Sequence, residues 1–159
     1  MRKFSTLIHL KDKSQAIAGT LDALRVSDEL LVIDHVATDE MRELLRKHGA
    51  TVLEAIDGVH DGAYATNARN EWVLCVRPFE HPDAELCTAL EGWKQLDPEK
   101  DDRVVGYTIA IDSQRQSHAV NGAHRELRFV NRTRINWIED LPGSASNVLS
   151  LPGSLLRAA

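Results

Sequence analysis

The sequence lacks a long apolar run, because no stretch approaches the roughly 20 residues that a membrane-spanning helix needs. It has only two cysteines, Cys75 and Cys87, without framework spacing, so we expect two buried thiols in a reducing compartment. The first residues do not resemble a secretory signal, which predicts a cytoplasmic protein. Although only 5% of the residues are aromatic, 43% are hydrophobic and 27% charged, as expected for one globular domain of 159 residues.

Motifs of phosphate, metal and nucleophile chemistry are absent as well. The sequence contains no P-loop and no GxGxxG, GxSxG, HExxH or CxxC pattern. None of its seven histidines pair at metal-ligand spacing, and His118 and His124 are six residues apart in a polar stretch, so we predict no metal site. A net charge of −5 makes nucleic acid a poor candidate partner.

The charge is unevenly divided along the chain. Residues 1–112 carry 13 Lys and Arg against 21 Asp and Glu, whereas residues 113–159 carry six against three. The basic end is interpreted either as a solvated face or as a segment that faces an anionic ligand. If residues 126–130 form a strand, Arg128, Arg132 and Arg134 share one of its faces.

Strand and helix patterns alternate through the first two thirds of the chain. The patterns predict strands at 6–10, 29–33, 51–53 and 72–76, and helices at 61–70, at 82–96, after Ser14 and after Thr38. The strands are apolar on both faces, which is typical of a parallel sheet covered by helices and predicts an α/β fold. Beyond them we predict strands at 104–111 and 126–130 and turns at 141–153.

Ligands of such parallel sheets bind beyond the carboxyl ends of the strands. This rule selects three short segments, His9–Asp12, Asp34–Asp39 and Arg77–Glu80. Asp34 stands at the tip of a strand, where a carboxylate accepts hydrogen bonds either from a ribose or base edge or from the turn that follows it. Both interpretations of Asp34 stay open at this point.

Four ordered blocks of the sequence resemble glycosyltransferase family 2, in particular its bacterial branch that builds lipopolysaccharide cores and other envelope glycans. Residues 27–39 (SDELLVIDHVATD) are similar to the family's "aDEiiVvDsgStD" block, and 48–52 (HGATV) to the end of its next helix. Residues 65–74 (ATNARNEWVL) match a block ending in "dWvL", and 126–132 (ELRFVNR) is similar to "lRLfrR".

The resemblance implies a Rossmann-like GT-A fold with a mostly parallel sheet, helices on both faces and a compact size. We expect one domain over 1–159, in which about 1–96 bind a nucleoside diphosphate sugar and about 104–159 form the acceptor side. The implied reaction transfers a hexose with inversion to a hydroxyl of a glycan or glycolipid. The implied location is cytoplasmic, including the surface of the inner membrane.

The resemblance also assigns residues to the donor site. Asp34 matches the acid that contacts the nucleoside, and Asp39 matches the acid of the "StD" block, which caps a helix. Asn67 and Arg69 fall where family members approach the diphosphate or the sugar. Asp12 stands in the first turn, where the family usually has "NE".

One departure from the family pattern changes the expected chemistry. The family carries an Asp-x-Asp pair that holds Mg²⁺ or Mn²⁺ against the diphosphate, whereas this sequence has Arg77 and Phe79 there, with Glu80 as the remaining acid. A divalent metal is therefore doubtful. Arg77 either replaces the metal as a charge against the diphosphate or is paired with Glu80 or another nearby acid in a degenerate site.

The candidate catalytic base lies further along the chain. Glu139 and Asp140 follow Trp137, an aromatic side chain that suits a sugar face, although acids beside a turn are common on surfaces. Two functions follow from the resemblance. One is a glycosyltransferase with weak or metal-independent activity, and the other is an inactive GT-A relative that acts as a binding or partner module.

Overall fold

The computed structural model describes residues 1–12, 17–113 and 124–157, in which we number ten strands and three α-helices. The strands are β1 (Phe4–Leu10), β2 (Glu29–Asp34), β3 (Thr51–Glu54), β4 (Trp72–Cys75), β5 (Glu80–Pro82), β6 (Gly106–Ser113), β7 (Arg125–Asn131), β8 (Trp137–Ile138), β9 (Leu141–Pro142) and β10 (Val148–Arg157). The helices are α1 (Ile17–Ala23), α2 (Asp39–Lys47) and α3 (Ala84–Lys94), and 3₁₀ turns span Asp61–Asn67 and Pro98–Asp101. Ser14 and His118 lie outside the described residues. None of these helices is long and apolar enough to cross a bilayer.

Eight of these strands form one sheet in the order β3-β2-β1-β4-β7-β6-β10-β5. Its first four strands are parallel, in a register that puts Leu10 opposite Asp34. β7 runs antiparallel to both β4 and β6, β10 runs parallel to β6, and β5 closes the far edge antiparallel to β10. The predicted α/β fold with a mostly parallel, Rossmann-like sheet is therefore confirmed.

Both faces of the sheet are covered, but the described α-helices all lie on one face. The three α-helices pack on one face, where their apolar residues join a core that includes Ile8, Val32, Leu74 and Phe129. The opposite face carries a smaller core, covered by the 3₁₀ turn Asp61–Asn67 and by the β8–β9 hairpin.

Helix α2 shows how closely local sequence determines local structure. The Thr38 hydroxyl caps it by accepting the Met41 N–H at 3.3 Å, and Asp39 lies in the first turn, where the helix dipole favours an acid. Gly49 follows the helix with φ +85°, a conformation that glycine adopts without strain. The predicted start and end of this helix are confirmed.

Two predictions about the second half of the chain are wrong. Pro82 does not open helix α3 but lies in β5 opposite Leu155, and Asp83 caps the helix by accepting the Leu86 N–H at 2.8 Å. The segment 141–153, predicted as turns, instead contributes β9 and half of β10. Because β10 bulges between Ser150 and Ser154, its Pro-Gly step fits inside a strand.

A buried ion pair joins the strands of the second half. The side chains of Arg128 and Glu80 are both 0% exposed and meet through two hydrogen bonds of 2.7 and 3.1 Å. Arg128 also donates to Glu126 at 3.0 Å and to the Cys75 carbonyl at 3.1 Å. Neither predicted interpretation of the arginine row holds for Arg128, because its guanidinium is inside the protein and faces neither solvent nor a ligand.

Candidate functional site

One face of the parallel strands changes from apolar to polar at their carboxyl ends. Residues two apart on a strand share a face, so the apolar rows of β1, β2 and β4 on this side lead to His9, His35 and Arg77. The apolar residues that precede these three are Leu7, Leu31, Ile33, Val73 and Cys75. This edge lies in the segments that the carboxyl-end rule selects, and the 3₁₀ turn and the β8–β9 hairpin contribute further polar groups to it.

A cluster of two histidines and an acid occupies the tips of β1 and β2. His9 Nδ1 lies 3.1 Å from His35 Nε2, which is 4.0 Å from Asp61 Oδ1. The other Asp61 oxygen accepts a hydrogen bond from Lys11 Nζ at 2.7 Å. Burial lowers the pKa of His9 to about 4, although the charges of Asp61 and Asp140 act in the opposite direction. His9 is therefore a neutral ring at pH 7.

The contact between Lys11 and Asp61 fixes both of their charges. The hydrogen bond to Asp61 raises the pKa of Lys11. Burial alone would raise the pKa of Asp61, but the hydrogen bond and charge of Lys11 outweigh it and lower that pKa. Both groups are thus ionised over the physiological range.

The structure brings together two of the predicted catalytic residues. Arg77 follows β4 and Asp140 lies in the turn of the β8–β9 hairpin, yet Arg77 Nη1 is 3.5 Å from Asp140 Oδ2. The Arg77 side chain is 36% exposed and that of Asp140 is 13% exposed. Arg77 is therefore partly accessible to a ligand, whereas most of Asp140 is covered.

The β8–β9 hairpin holds Asp140 in this position. Trp137 packs so closely on Gly62 that a Cβ added to that glycine would lie 2.4 Å from the Trp137 Cβ. Glu139, the first residue of the turn, has φ +53° and is exposed, with no hydrogen bond or ion pair to a described residue. Of the two candidate bases, Asp140 faces the site and Glu139 faces solvent.

Asp34 is wholly buried and shapes the turn after β2. Its Oδ1 accepts the N–H groups of Val36 and Ala37 at 2.9 and 3.1 Å, which supports a φ of +61° at Ala37. Its Oδ2 is 3.6 Å from Arg42 Nε and has no hydrogen-bond partner among the described residues. Asp39 is fully exposed at the start of α2, 3.9 Å from Arg42.

Other sequence-predicted residues lie outside the Arg77–Asp140 pair. Arg69 is held by the buried Glu29 at the amino end of β2, through its N–H at 2.9 Å and its Nε at 3.2 Å. Asn67 is exposed two residues earlier, at the end of the 3₁₀ turn. Glu80 is turned into the sheet toward Arg128 and holds the Arg77 N–H at 2.8 Å. Asp12 is exposed just beyond β1, next to Lys11.

Sequence reasoning missed the His9, His35 and Asp61 cluster because it searched for short metal-ligand spacings. His9 and His35 are 26 residues apart, but neighbouring parallel strands put them side by side. Their positions in the sequence could have identified them. Each histidine lies at the carboxyl end of an apolar strand, and its side chain lies on the same face of the sheet as the apolar residue two positions earlier.

No protein-family model matches the sequence. An uncharacterized glycosyltransferase of Rickettsia prowazekii (strain Madrid E) is 28% identical over 115 residues, which cover 70% of this chain and 39% of that protein. Among solved structures, S. aureus TarS is similar with a TM-score of 0.66 and 14% identity, over 99% of this chain and 37% of TarS. Glucosyl-3-phosphoglycerate synthase from Mycobacterium tuberculosis, in complex with Mn²⁺, UDP and glucosyl-3-phosphoglycerate, is similar with a TM-score of 0.52 and 14% identity, over 72% of this chain and 45% of the synthase.

The structural similarities establish the fold, which is that of GT-A glycosyltransferases. The curated relative is named as a glycosyltransferase. This chain spans less than half the length of each of these three relatives. The donor, the acceptor and the activity of this chain therefore have to be inferred from the residues of the site.

Proposed function

We propose that this chain is the donor-binding core of a glycosyltransferase of family 2 type, which binds a nucleoside diphosphate sugar at the carboxyl edge of β1, β2 and β4. The observation that carries the proposal is the pairing of Arg77 with Asp140. A half-exposed cation and an acid, remote in sequence, meet at the edge where parallel sheets bind ligands. The relative that was solved with UDP has the same fold, which supports a nucleotide as the ligand.

Arg77 is proposed to bind the diphosphate. It stands where the family pattern has metal-binding acids, and a guanidinium offers paired N–H donors that match phosphate oxygens without a metal. Phosphate oxygens compete with Asp140 for the same N–H groups. Binding of the donor would then release the Asp140 carboxylate from its ion pair.

Asp140 is proposed to act as the base. It would take the proton of the acceptor hydroxyl as that oxygen bonds to the anomeric carbon, while the bond from this carbon to the diphosphate oxygen breaks. Attack on the side opposite the leaving group inverts the anomeric centre. Arg77 offsets the negative charge that develops on the departing diphosphate.

The remaining parts of the proposal follow the sequence resemblance. Residues up to about 96 would bind the donor, with the nucleoside beside the turn that the buried Asp34 shapes. Residues 104–159 would face the acceptor, a glycan or glycolipid hydroxyl at the cytoplasmic surface of a membrane. Asp12, Asp39 and Asn67, which are exposed and lie outside the Arg77–Asp140 pair, are proposed to make further contacts with the donor. Arg69 is not assigned such a contact, because Glu29 holds it at the amino end of β2.

Arg77 and Phe79 stand at the positions of the family's metal-binding acids, and this also favours a second function. If Arg77 and Asp140 form only a stable ion pair, the chain is an inactive GT-A relative that binds a partner or a ligand without turnover. Restoring acids at Arg77 and Phe79 would then produce no activity. Turnover by the unmodified chain with any sugar donor would exclude this function.

Calorimetry with UDP-glucose and GDP-mannose, each with and without Mn²⁺, tests the donor site. We expect one of them to bind without Mn²⁺, and we expect Arg77→Ala to weaken that binding about 10- to 100-fold, the equivalent of losing a charged hydrogen bond. Asp140→Asn should keep the affinity and reduce transfer by about 100-fold or more.

Arg69→Ala is the matched control, since Arg69 is an exposed arginine paired with an acid at the opposite end of the strands. It should bind the donor with unchanged affinity. Equal losses in the Arg69 and Arg77 variants, or no binding of either nucleotide sugar, would contradict the proposed site. A strict requirement for Mn²⁺ would refute the metal-free role of Arg77.

A further inference from the structure

We infer that His9, His35 and Asp61 form a binding site for a divalent transition metal of the zinc class, at the tips of β1 and β2. One ligand atom from each residue, two imidazole nitrogens and a carboxylate oxygen, lies within 4.8 Å of the other two. The three residues come from β1, from the turn after β2 and from the 3₁₀ turn that covers the sheet. This site is separate from the Asp-x-Asp position after β4, where Arg77 stands.

The spacing of the three atoms fits a small coordination sphere. Metal–ligand bonds of about 2.0–2.1 Å in a tetrahedral zinc site separate neighbouring ligand atoms by roughly 3.3 Å. The observed separations are 3.1 Å between the two histidine nitrogens and 4.0 Å between His35 Nε2 and Asp61 Oδ1. The third pair of ligand atoms, those of His9 and Asp61, lies within 4.8 Å, so a shift of roughly 1.5 Å or less in the Asp61 carboxylate brings the donors to bonding positions.

The donor set selects the class of metal. Imidazole nitrogen with one carboxylate suits Zn²⁺, Co²⁺ and Ni²⁺, whereas Mg²⁺ prefers a sphere of oxygens. His9 is 6% exposed, so the site is largely shielded from bulk water on its side. Three protein ligands leave at least one position for water or a ligand oxygen.

One further contact supports the site. Asp61 binds Lys11 through Oδ2, which orients the carboxylate and leaves Oδ1 on the side of His35.

Bound metal would join the ends of β1 and β2 to the 3₁₀ turn. It would also place a positive charge near Asp140, whose charge already acts on His9. The inference needs no nucleotide and does not depend on the proposed function.

Titration of the untagged, chelator-stripped chain with Zn²⁺ in a calorimeter tests the inference, and the visible spectrum with Co²⁺ reports its coordination. We expect one equivalent of Zn²⁺ and Co²⁺ bands of low-coordinate nitrogen and oxygen ligation. His35→Ala and Asp61→Asn should each weaken Zn²⁺ binding by more than the roughly 10- to 100-fold typical of losing an outer-shell partner. Melting curves without metal establish that both variants fold, and Zn²⁺ should raise the midpoint of the parent chain but not of these two variants.

Two matched variants control for other donors. His48 pairs with Asp22 at 2.8 Å on the surface, an equivalent histidine and acid without a third ligand, and Cys87 is the partly exposed thiol. His48→Ala and Cys87→Ser should leave the Zn²⁺ affinity unchanged. No one-equivalent binding, binding that persists in folded His35→Ala and Asp61→Asn, or binding lost in either control would overturn the inference.

Discussion

Replacing Glu80 by alanine should destabilise the protein severely, because Glu80 neutralises a fully buried arginine. Glu80 accepts four hydrogen bonds, two from Arg128 and one each from the Arg157 side chain and the Arg77 N–H. Without the carboxylate, the Arg128 guanidinium stays inside the sheet without a full counter-charge. Breaking a buried pair from one side costs about 3–5 kcal/mol, which lowers the melting midpoint of a chain of this size by about 6–20 °C.

Urea unfolding and calorimetry of the Glu80→Ala variant measure this loss, with Glu91→Ala as an exposed control on helix α3 that should change stability by less than about 0.5 kcal/mol. The double variant Glu80→Leu, Arg128→Met removes both charges and should recover much of the loss, since apolar groups of similar volume often replace a buried pair at little cost. Equal stability of Glu80→Ala and Glu91→Ala, or strictly additive losses in the double variant, would refute the reasoning.

Three further predictions concern single sites. Gly153→Ala should cost roughly 1–3 kcal/mol of stability from its φ of +87° alone, and more because the added Cβ would lie 2.2 Å from the backbone of α3. Gly92→Ala, whose Cβ would lie in open space on that helix, should instead stabilise the protein by about 0.5–1 kcal/mol. Urea unfolding midpoints measure both effects. Burial alone would raise the pKa of Glu126, but the neighbouring Arg128 and His124 lower that pKa. The contribution of Glu126 to stability should therefore be present above pH 4.5 and be lost as the pH falls through the lowered pKa. In the Glu126→Gln variant, the urea unfolding midpoint should decrease less between pH 6 and pH 3 than it does in the parent chain. Burial raises the pKa of Cys75 to about 12, so a thiol reagent should label Cys87 in the native protein and Cys75 only after unfolding; native labelling of Cys75 would contradict its burial.

The first half of the fold was predictable because its signals are local. Thr38, the acids that follow it and Gly49 specify both ends of one helix without help from the rest of the chain. Apolar runs such as 29–34 specify a buried strand in the same way. Parallel pairing then follows from the short helical connections between such strands.

The second half depends on distant contacts, which a sequence pattern does not contain. The Pro-Gly step at 152–153 indicates a turn, but a bulge beside β6 lets it continue a strand. Arginine is usually a surface residue, and Arg128 is buried because it pairs with partners that include the carboxylate of Glu80, 48 residues away.

The candidate site was likewise predictable in part. The sequence selected the edge of the sheet at which Arg77 and Asp140 meet, and the resemblance named both residues as candidates. Which residues meet there was not predictable, because Asp140 reaches Arg77 through a hairpin whose position depends on packing between Trp137 and Gly62. Arg69 was not placed correctly in this way. It belongs to the block 65–74 that resembles the family, but the resemblance did not indicate that it lies at the amino end of the strands.

The position of β10 sets the order in which this chain is able to fold during synthesis. β1 to β4 are complete once residue 75 has been made, and their pairings are relatively close in sequence. β5 has no pairing in the described sheet until residues 155–157 arrive beside it, and β10 also completes the outer side of β6. Contacts this distant form slowly because the intervening chain loses much entropy on closure. The nascent protein therefore has a half-finished sheet with an open strand edge, which makes it a substrate for chaperones or for aggregation until its last strand is inserted.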